Sequence, residues 1–169
     1  MTLPSTQRLE LRHLAVDDAP FMLELLNDPA FIANIGDRGV RNVEDAARYI
    51  QNRMIPSYAQ NGFGLYVVEL RATGVAVGIC GLVKRDYLDD ADIGFAFLPQ
   101  FLGQGYALES ATAVRAHAFE VLRLPRLLAI TSPHNTRSMH LLEKIGMRFE
   151  RMIMPPGEER EIRLYTSDR

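Results

Sequence analysis

The stretch "FLPQFLGQGYAL" (97–108) carries the spacing in this chain most suggestive of chemistry. An apolar run ends at Pro99, Gly103 and Gly105 flank the single residue Gln104, and "ALESATAVRAHAFEVL" then reads as a helix. The first N–H groups of a helix have no partner inside it, and the helix dipole adds positive potential there. Residues without a Cβ let an anion come close to those N–H groups, so the pattern suits a phosphate, and pyrophosphate above all. The dinucleotide fingerprint would need glycine or alanine where Leu108 stands, and it belongs in a first strand-to-helix turn. A Walker A loop would need Gly-Lys-Ser or Gly-Lys-Thr, which is absent. On these residues alone, a glycine-rich turn without a ligand stays open beside the phosphate site.

Other reactive residue types give weaker signals. Cys80 is the only cysteine and lies in the apolar "VAVGICGLV", where it reads as a small buried strand residue; no disulfide can form within the chain, which suits a reducing compartment. His13, His117, His134 and His140 show no metal-ligand spacing, so no metal is expected. Nineteen basic against twenty-one acidic residues give a net charge of −2, which argues against a general nucleic-acid binder. No apolar run reaches the ~18 residues of a membrane span, and the opening "MTLPSTQRLELRHL" lacks the apolar centre of a secretory signal. A cytoplasmic protein is therefore expected. The pattern fixes no oligomeric state.

The elements that must position these residues follow from periodicity and punctuation. "RLELRHL" (8–14) alternates as a strand; Asp17 or Asp18 can cap a helix with Pro20 in its first turn and Phe21, Met22, Leu25 and Leu26 on one face. Asn42 caps a second helix with Val43, Ala46, Ile50 and Met54 as its buried stripe, and Pro56 is expected to stop it. "GLYVVEL" (64–70), the turn "RATG" and "VAVGICGLVKR" (75–85) read as a hairpin, and "ADIGFAFL" (91–98) as the next strand. A long helix over about 104–122, the strand "RLLAIT" (126–131) and a helix over 135–146 come next. Asn135 caps that last helix and Gly146 ends it. "MRFERMI" and "EIRLYTS" close the chain as two strands. The expected order is βααβββαβαββ in one domain over 1–169, an α/β or α+β fold. The crossover helix after 91–98 makes that strand parallel to 126–131, in a sheet otherwise antiparallel.

"QFLGQGYALES" (100–110) resembles the Q/R-x-x-G-x-G/A signature of the GNAT superfamily of acyl-CoA-dependent N-acetyltransferases. "NTRSMHLLEKIGMRFE" (135–150) resembles the family's second motif, and "STQRLELRHLAVDDAPFMLELLND" (5–28) the opening of its RimJ/RimL-type branch. The resemblance implies a GNAT-like mixed, mostly antiparallel sheet and acetyl-CoA as cofactor. It places the cofactor along Phe97 and Leu98, the loop of Gln100, Phe101, Leu102, Gly103, Gln104 and Gly105, then Tyr106 and Ala107, with Asn135 and Arg137 beyond. It also implies direct attack of an amine on the thioester, with a backbone N–H near Phe97 meeting the oxyanion and Ser138 as proton donor to the departing thiolate. Two departures stand out: Leu142 occupies the position of a tyrosine found in many members, and Gln100 and Gln104 occur where the loop often has Arg or Lys. Asn135 and Ser138 also have plain structural readings, as helix cap and first-turn residue.

The incoming amine must lose a proton, for which Asp92, Glu158 and Glu159 are the candidates. The acceptor is expected against 35–50, with Asp37, Arg38 and Arg41, and against 152–162, with Glu158, Glu159 and Glu161. A peptide N-terminus, a polyamine and an aminosugar all fit that description. So does a non-catalytic acyl-CoA-binding module, which Leu142 favours and Ser138 opposes.

Overall fold

The structure, a computed structural model, describes residues 1–169. Seven strands form one sheet in the order β1-β2-β3-β4-β5-β7-β6. They are β1 (Leu9–His13), β2 (Leu65–Leu70), β3 (Ala76–Val83), β4 (Asp92–Phe97), β5 (Arg126–Thr131), β6 (Arg148–Ile153) and β7 (Ile162–Asp168). All neighbours pair antiparallel except β4 and β5, which are parallel. Each expected strand is present, to within two residues at its ends.

Alternation along the strands sorts side chains onto the two faces. Tyr66, Val68, Cys80, Leu82, Ile93 and Phe97 pack under α5 (Tyr106–Glu120) and α6 (Thr136–Lys144). Val67, Ile79 and Leu98 face the other way, toward α1 (Ala19–Leu26), α2 (Pro29–Asn34) and α3 (Val43–Tyr49). Burial is the reason for the apolar stripe on each helix, since that surface is stabilised only when removed from water.

The first N-terminal helix ends at Leu26, just before "NDP" (27–29), but a further short helix follows it, and the second expected helix is interrupted by a π turn. Asp28 accepts from the Phe31 N–H and starts α2 as a separate helix after Asn27. Asn42 caps α3 through the Asp45 N–H as expected, but Val43 is 44% exposed and only Ala46, Ile50 and Met54 of the expected stripe are buried. Val43 is the first residue of the helix, where the chain is still entering from solvent. Pro56 does not end the helix: a π turn over Ile50–Met54 leads into α4 (Ile55–Asn61), with Pro56 in its first turn. The π turn, closed by the Ile55 N–H to the Ile50 carbonyl, widens the helix where Pro56 has no N–H to donate. Asp18 stands at the start of α1 without capping it; its carboxylate accepts from the Ala15 N–H and pairs with Arg12.

The β2–β3–β4 hairpins are packed closely enough to require glycine. A Cβ on Gly81 would lie 2.1 Å from the Gly64 carbonyl oxygen, whereas one on Gly94 would meet only Leu65 Cδ2 at 3.6 Å. Gly81→Ala is therefore expected to cost about 1–3 kcal/mol or more in urea unfolding, and Gly94→Ala no more than about 0.5 kcal/mol. Equal effects would show that the sheet relaxes around both.

Candidate active site

Strand β4 is paired along its length with β3, and β5 with β7, but β4 and β5 meet at one position, Asp92 opposite Leu128. Beyond it they diverge. The Leu98 N–H bonds to the Val77 carbonyl at 3.0 Å, so alternation points the N–H groups of 92, 94, 96 and 98 at β3. The N–H groups of Phe95 and Phe97 consequently point into the gap. That gap opens into a cleft of about 1030 Å³ whose walls include β4, α2 with its following loop, the 131–142 segment and the final hairpin loop.

At the carboxyl end of β4, Gly103 and Gly105 adopt φ of +77° and +83°, a region costly for residues with a Cβ. Gly105 is the N-cap of α5 and offers no capping side chain. The first helical bond runs from the Glu109 N–H to the Gly105 carbonyl at 3.0 Å, leaving the preceding N–H groups without helical partners. Nothing lies within 4 Å of a Cβ built on Gly103. The shape is an open cradle of backbone donors.

Of the cofactor positions read from the sequence, Phe97, Leu102, Ala107, Asn135 and Arg137 line the cleft, as does Ser138. Gln100, Gly103, Gln104 and Gly105 are exposed at its margin, with Phe101 and Tyr106 half-buried beside them, and Leu98 is buried facing the α1–α3 side. Asn135 caps α6 by accepting from the Ser138 N–H at 3.2 Å. That cap uses Ser138's backbone and not its hydroxyl, which forms no hydrogen bond within the chain. Leu142 is buried on the inner side of α6 and lines the cleft with an apolar surface.

The candidate bases separate clearly. Asp92 lines the cleft with only 1% of its surface exposed, and its Oδ1 accepts from Arg85 Nε at 2.9 Å. Burial pushes its carboxyl up to about 6, against the pull of the Arg85 charge. Glu158 lines the cleft from an exposed turn, and Glu159 lies outside it. Asp37 and Arg41 pair with each other, while Arg38 lines the cleft. Arg85, Tyr87 and Arg160 also line it, and sequence reasoning missed all three. A signal for Arg85 existed: it follows a strand in "VKRDYLDDAD" and sits across the hairpin from the acid that opens the next one. Where the cleft crosses from one half of the sheet to the other, Ser132 Oγ donates to the Asn34 carbonyl at 2.9 Å, tying the end of α2 to the end of β5.

Residues 8–148 match the acetyltransferase (GNAT) domain family. The chain is 29% identical over 158 residues to the uncharacterized N-acetyltransferase YnaD of Bacillus subtilis, covering 92% of this chain and 89% of that one. It is 23% identical over 153 residues to the spermidine N(1)-acetyltransferase of Escherichia coli K12, covering 90% and 79%. Among solved structures it superposes on RimL, a ribosomal L7/L12 alpha-N-protein acetyltransferase in complex with coenzyme A, with a TM-score of 0.84 at 18% identity over 99% of this chain and 98% of that one.

The two α6 residues are expected to separate in stability measurements. Asn135→Ala removes a capping bond and should cost about 1 kcal/mol. That corresponds to a fall in melting temperature of about 2–4 °C. Ser138→Ala should leave it within 1 °C or so, because no bond within the fold is lost. A drop for Ser138→Ala as large as that for Asn135→Ala would show that the hydroxyl serves the helix.

Proposed function

The chain belongs to the GNAT acetyltransferase family and is an N-acetyltransferase, and from that premise we propose that it transfers the acetyl group of acetyl-CoA to the α-amine of a peptide. The observation that carries this reading is the β4 edge left unpaired beyond Asp92, followed after a short turn by the open cradle at Gly103–Gly105. One wall thus combines a buried acid, backbone donors facing a gap, and a phosphate-sized group of N–H donors. The cradle fits the pyrophosphate of coenzyme A because the N–H groups that start α5 have no side-chain cap and nothing lies within 4 Å of a Cβ on Gly103.

When bound, acetyl-CoA supplies a thioester whose carbonyl carbon an amine attacks directly. The Phe97 N–H is placed to receive the oxyanion as a preorganised donor, and the Phe95 N–H, about 6.7 Å back along the strand, is left for another polar group of the ligand. Asp92 lies five residues before Phe97, about 17 Å along the strand. At that separation the amine's proton reaches it through a chain of waters, and a carboxyl near 6 is matched to this task at neutral pH. The Ser138 hydroxyl, free of the fold, donates a proton to the leaving sulfur and recovers it from solvent. Leu142 offers nothing to that step and only shields it. Arg137 is assigned to the adenosine end of the cofactor.

Acids and arginines share the acceptor side of the cleft: Asp28, Asp92, Glu158 and Glu161 against Arg38, Arg85 and Arg160. A polycation would be met better by acids alone. The mixed surface suits one amine on a polar, uncharged or partly anionic body, as at a peptide N-terminus. The polyamine reading is supported by the spermidine N(1)-acetyltransferase relative. Thiol release from acetyl-CoA, run against peptides with Ala, Ser or Thr N-termini and separately against spermidine, decides between them. Release with peptides supports the α-amine reading. Release with spermidine alone replaces it, and stabilisation by CoA without turnover on either pool would make the chain a binding module.

The base assignment has its own test. Only the carboxylate of Asp92 accepts a proton, so kcat is expected to be steady above the shifted value and to fall as pH drops through about 6. Asp92→Asn should lower kcat by about 10²–10⁴ and abolish that acid limb. An unchanged limb in the variant would assign the base elsewhere.

A further inference from the structure

The cradle loop has glutamines at 100 and 104 and no cationic side chain of its own. Directly behind it is Arg8, the residue before β1, 96 positions away in sequence from the loop atom that it holds. Arg8 Nη1 donates to the Gln104 carbonyl at 2.9 Å, while Nε and Nη2 donate to Glu109 Oε2 at 2.7 and 2.6 Å. The guanidinium lies 4.6 Å from the Tyr106 ring centroid, and a Cβ on Gly105 would stand 3.2 Å from Nη2. Glu109 is fixed in turn: its Oε1 accepts from the Arg8 N–H at 3.1 Å and from Thr6 Oγ1.

The consequence is set by peptide geometry. In a planar trans peptide the carbonyl of one residue and the N–H of the next point in opposite directions. Drawing the Gln104 carbonyl back toward Arg8 therefore turns the Gly105 N–H outward, to the side where an anion would lie.

We infer that Arg8, held by Glu109, is the positioning residue of the phosphate cradle: through its bond to the Gln104 carbonyl it sets the Gln104–Gly105 peptide. The inference rests on the reading of that loop as the pyrophosphate site. Glu109 has a double part, anchoring Arg8 and placing a negative charge in the first turn of α5, where the dipole favours it.

The test is calorimetric titration of the whole chain with CoA and with 3′-dephospho-CoA, which keeps the pyrophosphate. Arg8→Ala is expected to weaken both by the same factor, about 10–100-fold, as for loss of a charge-assisted hydrogen bond. In amide NMR spectra, CoA should shift the Gly105 resonance in the wild type and fail to do so in the variant, a change that a general loss of stability would not produce. Arg8→Lys, which keeps the charge but not the fork, should still lose about threefold or more and covers the case in which the alanine variant does not fold. Affinity within twofold of wild type would overturn the inference. So would a loss seen with CoA that vanishes with 3′-dephospho-CoA, because Arg8 would then serve the 3′-phosphate. A wild-type chain that binds neither ligand would overturn the cradle reading together with it.

Discussion

The divergence of β4 from β5 after a single paired position is the constraint from which the rest of the site follows. Both strands are otherwise fully engaged, β4 with β3 and β5 with β7, so the sheet holds two complete halves that touch at Asp92 and Leu128. An unpaired backbone N–H buried without a partner costs about 1–3 kcal/mol, so such an edge persists only if water or a ligand meets it. Placed between two rigid half-sheets, the edge cannot close on itself. It is an unpaired strand edge facing the cleft at the middle of the molecule.

Helices complete what the strands begin. Helix α5 starts just beyond β4 and α6 just beyond β5, so both N-termini come to the carboxyl ends of the diverging strands. Ligands in open α/β sheets are expected at such a switch point. The two starts are finished differently. Asn135 closes α6 with its own side chain, and Gly105 leaves α5 open. One helix end is self-satisfied by a side chain, while the other has no side-chain cap. Across the cleft mouth, the bond from Ser132 to Asn34 ties the end of α2 to the segment that follows β5.

Much of this was legible in the sequence, for reasons that differ by element. The strands show because two-residue alternation is enforced by two packed faces, and "RLLAIT" (126–131) is β5 to the residue. Asn42 and Asn135 show because a cap is a local bond. Pro56 misleads because the π turn that admits it has no residue signature, and Val43 because periodicity alone does not say where a stripe enters the core. Asp92 was one of three acids until the hairpin brought Arg85 to it and buried the carboxylate; burial is a property of the assembled fold. Arg8 was invisible as a loop partner, since its contact with Gln104 spans most of the chain.

Amide hydrogen exchange on the wild-type chain, with and without acetyl-CoA, tests most directly whether the β4 edge is the acyl-CoA surface. Protection of the Phe95 and Phe97 amides together with those of 103–108, while the already paired β3 and β7 amides stay unchanged, is the result that this structure predicts. Binding that leaves Phe95 and Phe97 exchanging as before would contradict it, and would place the thioester somewhere other than the gap between the two half-sheets.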